Sequence, residues 1–83
     1  MFEGECSIRK AGIGEDGKVG ILLEAFDPPG VFAYTWFLAR PDFQKEFLSI
    51  ALAAINGNKR VFAKMQNEQI EHDTILYFGL VKY

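Results

Sequence analysis

A mainly β fold with one helix, laid out as a five-stranded Greek-key barrel in the order β-β-β-α-β-β, is what this sequence predicts. Three observations lead there. The chain has 83 residues, enough for one hydrophobic core and not for two, so residues 1–83 read as a single domain. Five short stretches are apolar or alternate apolar with polar, and Gly, Pro and Asp-Gly turns punctuate them. Between the third and the fourth, the apolar period changes from 2 to 3.6, the signature of one amphipathic helix.

The elements follow in order. The first strand is read at residues 5–11, with Cys6 and Ile8 on one face and Ser7 and Arg9 on the other. Asp16-Gly17 before an apolar run marks a hairpin turn. The second strand, Lys18 to Phe26, places Val19, Ile21, Leu23 and Ala25 on a common face. Asp27-Pro28-Pro29-Gly30 is a strong turn, because two prolines remove backbone donors and Gly30 accepts positive φ. The third strand, Val31 to Ala39, is rich in rings and β-branched residues. Asp42 is then placed to cap a helix that runs to about Asn56, with Gly57 as the left-handed residue that ends it. Arg60 to Met65 reads as a fourth strand, residues 66–73 as a polar loop, and Thr74 to Tyr83 as the last strand.

The helix is apolar over an unusually wide arc. Phe43, Phe47, Ile50, Ala51 and Ala54 form one stripe, and Leu48, Leu52 and Ile55 an adjoining one. Together they cover about 200°, against the roughly 100° that a surface helix needs. The second stripe is therefore the candidate contact with another copy of the chain. The open edges of a partly closed barrel offer unpaired backbone groups for the same purpose. A closed homo-oligomer is expected, with a ring favoured.

Composition narrows the function classes. With 49% hydrophobic and 14% aromatic residues, the chain is neither a disordered tail nor a coiled coil nor collagen-like. Its longest apolar stretch, Val31 to Ala39 broken by Thr35, falls far short of the roughly 18 residues that cross a bilayer, so no membrane span is expected. A formal charge of −2 gives no general attraction for phosphate backbones, which makes nucleic acid an unfavoured partner. The bases nevertheless cluster in the middle of the chain, at Arg40, Lys45, Lys59, Arg60 and Lys64, and are read as a solvated, mixed-charge face. Cys6 is the single cysteine, so no intrachain disulfide can form, which points to a reducing, cytoplasmic compartment. The opening residues carry no signal peptide. A secreted chain whose leader had been removed would look the same.

Each candidate site is weighed against a plainer role. His72 stands between Glu71 and Asp73, but one histidine and one distant cysteine do not make a metal set, and a solvated loop residue is the preferred reading. Cys6 is read as a buried apolar residue. Gly12-Ile13-Gly14 lacks the following helix that a phosphate loop requires. No nucleophile, acid–base pair or cofactor loop can be assembled, so neither an enzyme nor a cofactor is expected. The best remaining feature is the third strand. Phe32, Tyr34, Trp36 and Leu38 share one face; Val31, Ala33, Thr35, Phe37 and Ala39 share the other. If the larger set faces outward, Tyr34 and Trp36 form a stacking platform for sugar rings or unpaired bases. If it faces inward, it is the barrel core, and that reading is preferred because a small barrel needs bulky filling.

The run Asp42-Phe43-Gln44-Lys45-Glu46-Phe47-Leu48-Ser49-Ile50-Ala51-Leu52-Ala53-Ala54, followed by Gly57-Asn58-Lys59-Arg60-Val61-Phe62 and, after a polar loop, Ile75-Leu76-Tyr77-Phe78-Gly79-Leu80, resembles the binding subunits of bacterial toxins of the pertussis and subtilase-cytotoxin type. The likeness spans residues 42–83 and is carried by hydrophobic pattern. It implies an OB-fold, assembly into a five-membered ring, and a host glycan as ligand. It transfers no ligand contact, because no glycan-binding motif matches residue by residue. The functional expectation is thus an oligomeric module that binds a glycan or another protein. The alternatives are an OB-fold that binds single-stranded nucleic acid, or an accessory subunit without a ligand.

Overall fold

The computed structural model describes residues 1–81. The structure is mainly β with one helix. Its strands are β1 (Phe2–Ile13), β2 (Val19–Asp27), β3 (Thr35–Leu38), β4 (Val61–Met65) and β5 (Ile75–Leu80), and the helix α1 (Gln44–Asn56) lies between β3 and β4. All five strands join one antiparallel sheet in the order β3-β2-β1-β4-β5. Leu38 of β3 also makes an isolated parallel bridge to Thr74, just ahead of β5.

Alternation decides which side of each strand is core. Val19, Ile21, Leu23 and Ala25 of β2 are buried, as are Phe2 and Cys6 of β1, Val61, Ala63 and Met65 of β4, and Ile75 and Phe78 of β5. Phe47, Ala51 and Ala54 turn α1 onto that inner face, chiefly against β1 and β5. The Phe47 and Phe78 rings stack there at 5.4 Å. Small Ala51 and Ala54 let the helix backbone come close to the sheet. Gly4 is needed for the same reason on β1: a Cβ there would run into the Asp27 carbonyl oxygen.

Five sequence expectations are corrected. The third strand does not run from Val31 to Ala39; only Thr35–Leu38 pair with β2. Gly30, at φ 78°, leads into an irregular stretch where the Thr35 hydroxyl donates to the Ala33 carbonyl at 2.8 Å. That local bond competes with the ladder. In an unbroken strand Phe32 and Phe37, five residues apart, would face opposite ways. Here both are buried, and their rings meet edge to face at 5.2 Å. Phe32 also meets Phe2 at 5.0 Å. The expected inward set of Phe32, Tyr34, Trp36 and Leu38 therefore does not exist: Phe32 is core, Tyr34 is exposed, and Trp36 and Leu38 are half-buried.

The other corrections concern the helix and the last strand. Asp42 makes no side-chain cap; it sits in a 3-10 turn, Pro41–Phe43, that precedes α1. Gly57 stays at φ −90° with its N–H on the Ala53 carbonyl, and Asn58 takes the positive φ of 52° instead. Asparagine is among the few residues that tolerate this conformation. The last strand is shorter than expected and ends at Leu80. Lys82 and Tyr83, which the sequence reading included in it, lie outside the described residues.

No helix among the described residues is long and apolar enough to cross a membrane. Of the second helical stripe, Leu48 packs partly against the core, Ile55 is half-buried and Leu52 is 45% exposed.

Candidate functional site

A recess of about 310 Å³ opens on the outer face of the sheet where the β1–β2 hairpin ends. Its floor is bare because glycines face each other there. Gly12 of β1 is opposite Gly20 of β2, and Gly20 is opposite Leu38 of β3. A glycine inside a strand weakens the strand, and a common reason for one is close approach by a ligand or another group. Here Trp36, the partner of Leu22 in the next row, lays its ring toward the space that a side chain at Gly20 would take. A Cβ on Gly20 would lie 3.3 and 3.5 Å from the nearest ring carbons. Trp36, Leu38 and Ile13 supply apolar walls, and Asp16, Lys18 and His72 supply a polar rim.

The rim is held by backbone geometry. Gly17 takes φ 79° and donates its N–H to the Gly14 carbonyl at 2.9 Å, while the Gly14 N–H donates to the Lys18 carbonyl at 2.9 Å. The Asp16 carboxylate accepts from the Lys18 N–H at 3.1 Å. Opposite this hairpin, the loop of residues 66–73 is tied to β3. The His72 N–H donates to the Trp36 carbonyl at 2.7 Å, and the Leu38 N–H donates to the Asp73 carbonyl at 3.0 Å. Inside the loop, the Asp73 carboxylate accepts from the Asn67 N–H at 2.8 Å, and the Gln69 side chain reaches the Val31 carbonyl at 2.9 Å. His72 adopts φ 69°, a left-handed conformation that costs a non-glycine residue free energy. The bond to Trp36 holds it there, on the recess rim.

The structure separates the two rings that the sequence placed on one platform. Trp36 belongs to the recess just described, whereas Tyr34 lines a different one and lies beneath the Arg9 guanidinium, 5.3 Å from the ring centre. His72 is solvated, as expected of a loop residue, and it also joins the rim. Gly12 and Gly14 bind no helix start; they serve as floor and wall. Sequence reasoning missed Gly20, Asp16 and Lys18. A signal for them was present in the glycines at 12 and 20, which a hairpin turning at Asp16-Gly17 must bring face to face.

Cys6 is fully buried, and loss of hydration pushes its thiol up to about 12, far from a reactive thiolate. Among the described residues no group of three or more His, Cys, Asp or Glu side chains is gathered to hold a metal ion. The recess thus offers one large aromatic face, a backbone floor and three polar side chains, a set suited to holding a small ring-bearing ligand in one orientation.

No protein family, curated protein or solved structure matches this chain.

Proposed function

We propose that the chain is an OB-fold binding module and that its ligand is a sugar ring seated against Trp36. The parallel bridge between Leu38 and Thr74 supports the barrel reading, because it joins the two end strands of the sheet. The backbone bonds from Leu38 to Asp73 and from His72 to Trp36 extend that seam. The recess faces strands two and three and is flanked by the 1–2 and 4–5 loops, the usual ligand position on such barrels.

The observation that carries the sugar reading is the half-buried Trp36 ring over a floor of two opposed glycines, with a carboxylate, an amine and an imidazole around it. Sugars pair apolar ring faces with hydroxyls that need both donors and acceptors, and this rim supplies both. A volume of about 310 Å³ is at the small end of ligand sites, so it fits one ring better than a strand of bases. Asp16 on the rim, with Glu15 beside it in sequence, also repels a phosphodiester backbone. The reading assigns the recess a binding role and no catalytic step.

The test is a broad glycan array probed with the intact protein and with Trp36→Ala. Binding that is saturable and at least tenfold weaker in the variant, about 1.4 kcal/mol, supports the reading. Silence across the array, with retained binding to oligonucleotides or to another protein, would replace it with one of the alternatives.

We further infer that the module works as a homo-oligomer, with a ring favoured. Exposed Leu52 beside half-buried Leu48 and Ile55 supports this, as do Leu76 and Leu80, both exposed on the edge strand β5. Light scattering on a sizing column tests it, and the mass of a single 9.4 kDa chain at tens of micromolar would overturn it.

A further inference from the structure

A second recess, of about 430 Å³, lies where β1, the segment ahead of β3 and the α1–β4 turn come together. Ser7 and Ile8 of β1, Tyr34 ahead of β3, and Asn58, Lys59 and Arg60 from the α1–β4 turn line it. Five of these six side chains carry hydrogen-bond donors, two are cations, and none is a carboxylate. In a chain whose net charge is −2, such a lining is a marked local reversal. We propose that this recess binds a phosphate or sulfate group, either as the free ion or as the anionic end of a larger molecule.

Arg60 is held in place. Arg60 lies over the Phe26 ring, 3.8 Å from its centre, and its Nε is 3.4 Å from a Glu5 carboxylate oxygen. A guanidinium gripped on one face and one edge loses little freedom when it meets an anion. Arg9 adds a third positive charge above Tyr34. Among the described residues, the nearby acids are Glu5, which is engaged with Arg60, and Glu24, which stands opposite Ser7 in the ladder; neither lines the recess. The end of α1 would repel an anion through its exposed carbonyls, but those of Ala53, Ala54 and Ile55 accept from the N–H groups of Gly57, Lys59 and Asn58. That capping directs the turn so that the Asn58, Lys59 and Arg60 side chains converge on the recess.

Lys59 has a competing role, since a cation just past a helix C-terminus also steadies the helix. The experiment separates the two. The intact ¹⁵N-labelled protein is titrated with inorganic phosphate, inorganic sulfate and glycerol 2-phosphate, with ionic strength held constant by sodium chloride. Amide shifts are followed in the wild type, Lys59→Gln and Arg9→Gln, and the thermal midpoint of each is recorded. The proposal expects saturable shifts centred on Ser7, Asn58 and Lys59, weakened at least fivefold in each variant. A tighter response to glycerol 2-phosphate than to the free ions would identify the anion as part of a larger ligand; an equal response would identify the free ion. Shifts no different from those that chloride produces would overturn it. So would a Lys59→Gln protein with a lower thermal midpoint and an unchanged titration.

Discussion

Phe37→Ala and Trp36→Ala are adjacent truncations on β3 that should differ greatly in cost. Phe37 is 0% exposed and is the inner end of a chain of edge-to-face rings, 5.2 Å from Phe32, which is itself 5.0 Å from Phe2. Removing it leaves a cavity and breaks one ring pair, for a loss of about 3–5 kcal/mol. The whole domain is expected to be stable by only about 4–12 kcal/mol, so Phe37→Ala should be marginal or unfolded at room temperature. Trp36 points the other way, with part of its ring in water and the glycine floor beneath the rest. Its loss removes partial burial and leaves no closed cavity, so less than about 2 kcal/mol should disappear. Urea unfolding followed by far-ultraviolet circular dichroism measures both, since Trp36→Ala has no tryptophan emission to follow. If Trp36→Ala proved as costly as Phe37→Ala, the inside and outside of β3 would be reversed and the recess would lose its wall.

Other perturbations test separate parts of the account. Gly4→Ala should abolish stable folding, because its Cβ meets the Asp27 backbone oxygen rather than a movable side chain; a folded Gly4→Ala protein by circular dichroism would contradict the β1–β2 geometry. The Cys6 thiol is held at about 12 against an ordinary 9.0, so above pH 9 the unfolded chain releases a proton that the folded one keeps. Stability should therefore fall with rising pH by about 1.4 kcal/mol per unit from that component. Urea midpoints from pH 8 upward should show a steeper loss in the wild type than in Cys6→Ala, and equal slopes would refute the buried thiol. Leu52→Lys should leave the fold intact within about 0.5 kcal/mol, since the residue is exposed within one chain. If the proposed oligomer uses α1, light scattering of that variant should return a smaller particle than the wild type, and an unchanged mass would remove α1 from the proposed interface.

The regular parts of the chain were legible because alternation carries them. Val19, Ile21, Leu23 and Ala25 face the core as the period of 2 requires, and Phe47, Ala51 and Ala54 do so at the helical period. The irregular parts were not legible, for a physical reason. Phe32 and Phe37 both face inward only because the segment after Gly30 leaves the ladder, and nothing in the alternation of the sequence signals that break. The helix end at Asn56 was read correctly, but the positive φ that follows it was placed one residue early, because Asn58 can adopt the conformation expected of Gly57. The recess depends on pairing across three strands, so Gly12, Gly20 and Trp36 become one site only once the register is fixed. His72 was discounted as a loop residue, and a single backbone bond to Trp36 is what places it on the rim.

The central claim is that a sugar ring sits against Trp36 above the glycine floor. Because the chain contains one tryptophan, its indole N–H gives one resonance that reports on this recess alone. We would follow that resonance and the Gly12, Gly20 and His72 amides in the ¹⁵N-labelled protein while adding a panel of neutral mono- and disaccharides to tens of millimolar. The account predicts that at least one sugar shifts all four signals together and saturably, and that Gly20→Val, whose side chain fills the floor, removes the response while the protein remains folded. A panel that leaves the indole and the glycine amides unmoved, or sugar-induced shifts confined to other faces of the sheet, would contradict it.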